Sequence, residues 1–126
     1  MMLLKRALAF MPGSFLIALS DLEIEREDQS SLVLNADGWL IKFDKPSQVV
    51  THSGKFVASF SSVETIDVEH FINGSLFGWW ALSLTLKGGR KFSIGRSVDG
   101  AQVSIAAAHA ATVTGKKVCS FERARL

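Results

Sequence analysis

The residues best suited to chemistry in this 126-residue sequence are two acids and a histidine at its centre. Asp67, Glu69 and His70 form a D-x-E-H pattern within a run rich in apolar and β-branched residues, which is typical of a strand. Successive side chains of a strand point to opposite faces, so Asp67 and Glu69 share one face and His70 lies on the other. Metal ligands must converge on one point. We therefore expect no metal site here, and predict that the carboxylates lie on a solvated face.

The other histidines and the single cysteine offer little for nucleophilic catalysis. His52 stands beside a Ser53-Gly54 turn, and His109 is flanked by alanines. No G-x-S-x-G motif is present. Pairing of His109 with Cys119 depends on the fold and stays open, although a buried structural thiol is the commoner role. The sequence therefore predicts a protein that is not an enzyme and that has no cofactor.

A basic group surrounds a glycine pair late in the chain. Gly88-Gly89 and 95–97 lack the spacing of phosphate-binding loops and are better explained as hairpin residues. The basic side chains of this hairpin are Lys87, Arg90, Lys91 and Arg96. They fit an anionic membrane or an acidic protein surface, and the simpler interpretation is a solvated face that protects a sheet edge. Nucleic acid is disfavoured because no exposed aromatic platform is predicted beside them.

Two adjacent tryptophans precede this hairpin. A strand points Trp79 and Trp80 to opposite faces. Trp80 continues an apolar alternation and is predicted to face the core, whereas Trp79 is predicted to be partly exposed. An exposed tryptophan can anchor a protein partner or lie at a membrane interface.

Short strands must position these groups. Turn signals recur every 8–12 residues from Asp21 onward, which favours six to eight antiparallel strands in a sandwich or small barrel. Asp99 with Gln102 predicts the start of a helix over about 99–114, and Gly115 predicts its end. We expect a short strand at 118–121 and a frayed tail at 122–126. The chain thus divides into a segment 1–20, one domain 21–121 and that tail.

Composition sets the broad class. Hydrophobic residues make up 48% and charged residues 21%, which excludes a disordered chain. One cysteine excludes an intramolecular disulfide framework. Residues 21–44 carry seven acids against two bases, and residues 87–126 carry eight bases against two acids. The simplest expectation is that these two ends pair in the fold; the alternative is that they orient a partner or a membrane.

The N-terminal segment 1–20 contains no acid. Lys5 and Arg6 precede an apolar run that Pro12-Gly13 interrupts. A signal peptide, a membrane-contacting segment and a segment docked on the domain are all compatible with this pattern. We expect a cytoplasmic protein that is associated with the inner face of the membrane if the segment contacts lipid, and export remains an alternative.

The late strands and the helix carry a resemblance to a known family. The stretches are WALSLTLKGGR at 80–90, KFSI at 91–94 and TGKKV at 114–118. Their arrangement over about residues 21–119 resembles small bacterial proteins of the pleckstrin-homology-like (PH-like) superfamily. The resemblance implies a bent sheet or barrel of about seven strands closed by a C-terminal helix. Phosphoinositide-binding members carry a basic loop between their first two strands, whereas Glu27 and Asp28 stand here, so that binding mode is not expected.

Together these features predict a non-enzymatic interaction module that binds a protein partner or an anionic membrane surface. The alternatives are a structural subunit of a homo-oligomer and an enzyme with an unrecognised site. The predicted binding residues are Lys87, Arg90, Lys91, Arg96 and Trp79.

Overall fold

Strands account for most of the chain in the computed structural model, which describes residues 22–73 and 77–125. The predicted segment 1–20 lies outside the described residues. In chain order the strands are β1 Leu22–Glu27, β2 Ser31–Ala36, β3 Trp39–Asp44, β4 Val49–His52, β5 Lys55–Ser59, β6 Val63–Asn73, β7 Phe77–Leu86, β8 Lys91–Ser97 and β9 Lys117–Arg125. The helix α1 spans Gly100–Thr114, and a 3-10 turn, Phe60–Ser62, separates β5 from β6.

The first sheet is a simple antiparallel meander of β1 to β5. Its tight turns follow from local chemistry: Asp37 and Gly38, like Ser53 and Gly54, adopt positive φ angles, as two-residue hairpin turns require. The predicted Gly88-Gly89 turn between β7 and β8 has the same character, with φ angles of 91° and 89°. These turn predictions are confirmed.

The second sheet has the order β8-β7-β6-β9. β7 pairs antiparallel with β6 and β8, but β9 pairs parallel with β6 from Thr65↔Lys117 to Asn73↔Arg125. The prediction of a frayed tail at 122–126 is therefore wrong for residues 122–125, which continue β9. The pairing joins segments about fifty residues apart, and a local pattern does not report such a partner.

The core lies between the two sheets and α1, which contacts strands of both. Asp99 caps α1 by accepting hydrogen bonds from the N–H groups of Ala101 and Gln102, and Gly115 ends it in the left-handed conformation. The helix predicted for 99–114 is thus confirmed. Small side chains let α1 approach the sheets closely. Its buried residues are Val103, Ala106, Ala107 and Ala110.

The mainly β class with one helix near the C-terminus is confirmed, but the finer prediction is not. The described residues form nine strands rather than six to eight, in two sheets of which neither closes on itself. The helix is followed by β9 rather than ending the domain.

Candidate interaction surface

One face of the second sheet, the face opposite α1, carries most of the predicted binding residues. Ile66 and Val68 of β6 point into the core, so Asp67 and Glu69 point the other way. The register of the ladders brings the neighbouring strands' side chains to the same side. We call this surface the charged face. Its members are Asp67, Glu69, Trp79, Lys91, Arg96, Phe121 and Arg123.

Lys91 is the hub of the charged face. Its Nζ lies 3.8 Å from Asp67 Oδ2 and 3.7 Å from Glu69 Oε1, and 5.9 Å from the centre of the Phe121 ring. Both carboxylates come from β6, two strands away from β8. Lys91 is therefore engaged within the sheet, and its charge is compensated before any partner arrives.

Asp67 corrects the prediction of a solvated carboxylate. The residue is only 1% exposed. Thr65 donates a hydroxyl hydrogen bond to Asp67 Oδ1 at 2.8 Å, and the Thr85 hydroxyl donates to Oδ2. These two bonds and the Lys91 ammonium replace the water that burial removes, as a buried charge requires. Sequence reasoning missed this because the partners lie on three different strands.

Strand β9 adds two residues to the charged face that the sequence interpretation did not name as binding candidates. Arg123 Nε donates to Glu69 Oε2 at 2.7 Å, and its guanidinium carbon lies 5.7 Å from the Phe121 ring centre. Phe121 thus has a cation from β8 and one from β9 against its ring while remaining 42% exposed. The sequence pattern that could have identified them is the alternation along the strand, which puts Cys119, Phe121 and Arg123 on one face.

Trp79 and Arg96 form a second cation–aromatic pair. The Arg96 guanidinium lies 5.3 Å from the Trp79 ring, and that ring stacks on Phe71 at 4.1 Å. Trp79 is half-buried, as its predicted partial exposure requires. Arginine and tryptophan are the residue types that contribute most to protein interfaces.

The predicted basic group is divided by the structure. Lys91 and Arg96 lie on the charged face, whereas Lys87 and Arg90 are exposed at the β7–β8 turn. The turn is closed by backbone hydrogen bonds between Leu86 and Arg90 and between Gly89 and Leu86. The predicted residues are therefore divided between the charged face, which holds Trp79, Lys91 and Arg96, and an exposed, positively charged tip.

The acidic and basic ends of the chain meet in a limited way. His109 Nδ1 of α1 lies 2.6 Å from Glu27 Oε2 of β1, which ties the helix to the first sheet. Lys91 and Arg123, in contrast, pair with acids from the middle of the chain. Lys91 and Arg123 thus do not pair with the acids of residues 21–44, and Glu27 of that region contacts a histidine that is not one of the eight bases.

The three histidines lie at separate places in the described part of the chain. His70 stacks on Trp80 at 4.0 Å and lies 3.5 Å from Glu122, and His52 stacks on Trp39. His109 faces β1 on the core side, while Cys119 lies opposite Asp67 on the charged face, so the two are not brought together. Within residues 22–73 and 77–125, no three His, Cys, Asp or Glu side chains are arranged to hold a metal ion.

Comparisons of the chain with protein families, with curated proteins and with solved structures found no match. Over the described part of the chain, no helix has both the length and the apolar character needed to cross a bilayer.

Proposed function

We propose that this chain is a non-enzymatic interaction module that binds a partner protein through the charged face. The observation that carries the proposal is the presence of two arginine–aromatic pairs, Arg96 with Trp79 and Arg123 with Phe121, on one face of one sheet. Pairs of this kind present a flat, partly apolar surface with directional donors, and they are typical of interface centres.

The balance of charge favours a protein partner over a bilayer at this face. Asp67 and Glu69 compensate Lys91 and Arg123, so these four side chains carry no net charge. A bilayer rich in anionic lipid is recognised by uncompensated positive charge. A protein surface of mixed polarity matches the charged face better.

An anionic membrane surface is the second candidate, and it depends on Lys87 and Arg90. Both are exposed at the tip of the β7–β8 hairpin. Each basic residue near an anionic membrane contributes about 1 kcal/mol, so the two together supply only about 2 kcal/mol. Such binding is weak unless another part of the chain adds to it.

We further propose kinship with the PH-like superfamily. Two antiparallel-rich sheets followed by a helix support it. The strand β9 beyond the helix and the open sheets are departures from that pattern.

Affinity capture with matched variants tests the protein-binding proposal. The full chain, an Arg96→Ala/Phe121→Ser variant and an Ile105→Ser control are used as baits, with equal thermal stability checked first. Ile105 is an exposed apolar residue of α1, outside the charged face. We expect the same protein to be retained by the full chain and the control, and its yield to fall about tenfold or more with the charged-face variant. Equal retention by all three baits, or no retained protein, contradicts the proposal.

Co-sedimentation with phosphatidylserine vesicles tests the second candidate. Lys87→Glu/Arg90→Glu is the appropriate variant, because reversal at Lys91 would also break its contacts with Asp67 and Glu69. Binding that is unchanged in this variant at low salt rules out the hairpin tip as the membrane contact.

A further inference from the structure

The first sheet has a surface of its own, remote from the charged face. Ladder pairing places five side chains in one row across its five strands, on the side opposite α1. In strand order they are Arg26, Val33, Lys42, Thr51 and Phe56. Neighbouring strands are roughly 4.8 Å apart, so Arg26 and Lys42 stand roughly 10 Å apart on either side of Val33.

An open trough of about 470 Å³ lies over this row. Its lining residues are Glu25, Arg26, Val33, Leu40, Lys42, Thr51, Ser53 and Gly54. Val33 is only 6% exposed at the floor, whereas Leu40 is 42% exposed at the rim. Phe56, next to Thr51 in the row, is 68% exposed. The volume lies within the usual range for sites that hold small organic molecules.

Irregular backbone shapes the trough. β1 has a bulge between Ile24 and Arg26, and β4 has a register shift between Val50 and Thr51. Bulges twist a strand and redirect its side chains, and they are enriched next to functional sites. The β1 bulge stands at a wall of the trough, which Glu25 and Arg26 line, and the β4–β5 irregularity adjoins the lining residue Thr51.

The two cations of the trough are only loosely held by their own acids. Arg26 Nε lies 3.9 Å from Asp28 Oδ2, and Lys42 Nζ lies 3.7 Å from Asp44 Oδ1. All four side chains are at least partly exposed, and exposed pairs of this kind contribute about 0–1 kcal/mol. An incoming anion can therefore share or replace these contacts.

Asp28 and Asp44 are instead committed to the turns that hold them. Asp28 Oδ1 accepts from the N–H of Ser30 at 2.8 Å and from that of Ser31 at 2.9 Å, and Asp44 accepts from the N–H and hydroxyl of Ser47. These hydrogen bonds lower the pKa of both carboxyls below the usual 3.8. At the wall, Glu25 Oε1 accepts from Asn35 Nδ2 at 3.0 Å, which turns that carboxylate toward β2.

We propose that the trough binds a small aliphatic carboxylate, with the carboxylate between Arg26 and Lys42 and the hydrocarbon chain covering Val33 and Leu40. The anionic head gains charge-assisted hydrogen bonds from the two cations. The chain removes the exposed apolar rim from water. This site is independent of the partner-binding charged face and goes beyond the function proposed for it.

Decanoate, used below its micellar concentration on the ¹⁵N-labelled full chain, is the probe. The trough variant is Arg26→Gln/Lys42→Gln. The control is Lys116→Gln/Lys117→Gln, which removes the same charge from the junction between α1 and β9, away from the trough. We expect saturable amide shifts centred on Val33 and Thr51, about tenfold or more weaker binding in the trough variant, and unchanged binding in the control. Leu40→Ser changes an exposed residue and is expected to weaken binding while leaving the fold intact.

Each other outcome overturns the proposal. Decanol binding as tightly as decanoate would show that the cations do not select a carboxylate. Equal weakening of decanoate binding in the trough and control variants would show that binding depends on the overall charge of the chain rather than on Arg26 and Lys42. Amide shifts centred on the charged face, or an absence of saturable shifts, would show that decanoate does not bind in the trough.

Discussion

Replacing Asp67 by alanine tests whether the charged face is a built network. The substitution leaves the Thr65 and Thr85 hydroxyls without their acceptor and removes one of the two carboxylates beside Lys91. Hydrogen bonds to a charged group contribute about 1.5–3 kcal/mol each, and breaking a buried charged pair costs about 3–5 kcal/mol. Because Lys91 keeps Glu69 and is itself partly exposed, we expect a loss near 3 kcal/mol in the free energy of unfolding.

Urea unfolding followed by tryptophan fluorescence measures this loss, and a thermal melt gives a second reading. A loss of about 3 kcal/mol corresponds to a fall of roughly 10–15 °C in Tm for a chain of this size. Glu64→Ala is the matched control, since Glu64 is an exposed acid on the same strand. Its effect is expected to stay within about 0.5 kcal/mol.

The pair of variants separates two interpretations of the acidic residues on β6. If the two variants lose the same small amount, Asp67 behaves as a solvated carboxylate and the network is not stabilising. If Lys91→Met alone destabilises as much as Asp67→Ala, the ion pair rather than the threonine hydrogen bonds carries the effect.

Three further predictions concern backbone and turns. Gly95→Ala places a Cβ 2.9 Å from the Cβ of Ala36, which cannot move without its backbone. We expect a loss of about 1–3 kcal/mol in the free energy of unfolding measured with urea. A variant as stable as the parent chain contradicts this close approach. Asp99→Ala removes the cap of α1 and is expected to cost about 1 kcal/mol, measured in the same way, with little change meaning that water replaces the cap. Hydrogen bonds from Ser47 lower the pKa of Asp44. The stability that these bonds add to the fold is complete above about pH 4 and is lost as the pH falls through the lowered pKa. Ser47→Ala is expected to raise the Asp44 pKa in an NMR titration. The variant is expected to be less stable than the parent chain above about pH 4, and this difference in the free energy of unfolding is expected to shrink in acid. An unchanged Asp44 pKa contradicts the assignment.

Features set by neighbouring residues were predictable from the sequence. Gly88-Gly89 forms its turn because both residues must adopt positive φ, and Asp99 caps α1 because its side chain reaches N–H groups two and three residues ahead. The predicted pairing of Asp99 with Gln102 was only half right, because the Gln102 N–H donates to Asp99 but the Gln102 side chain contacts another residue. Gln102 Oε1 accepts a hydrogen bond from Ser97 Oγ at 2.9 Å, which ties the start of α1 to the end of β8.

Features that depend on distant pairing were not predictable. The sequence of β9 contains strong strand signals only as far as Phe121, and its continuation to Arg125 is stabilised by β6, which lies far away in the chain. Without β9, Arg123 has no assigned position and Glu69 lacks its second cation. The predicted end of the strand at residue 121 therefore left Arg123 out of the charged face.

The position of Asp67 also explains why β6 pairs with β7 in the observed register. A slip of one residue would turn Asp67 into the core and Ile66 or Val68 outward, because side chains alternate along a strand. A carboxylate among Leu82, Leu84 and Val103 would have no hydrogen-bonding partners, and a buried unpaired charge is far costlier than a lost apolar contact. Thr85 of β7 can donate its hydrogen bond to Asp67 of β6 only in the observed alignment of the two strands. We infer that the buried carboxylate specifies the pairing of β6 with β7, and this alignment places Trp79 beside Phe71 and Arg96 within reach of the Trp79 ring.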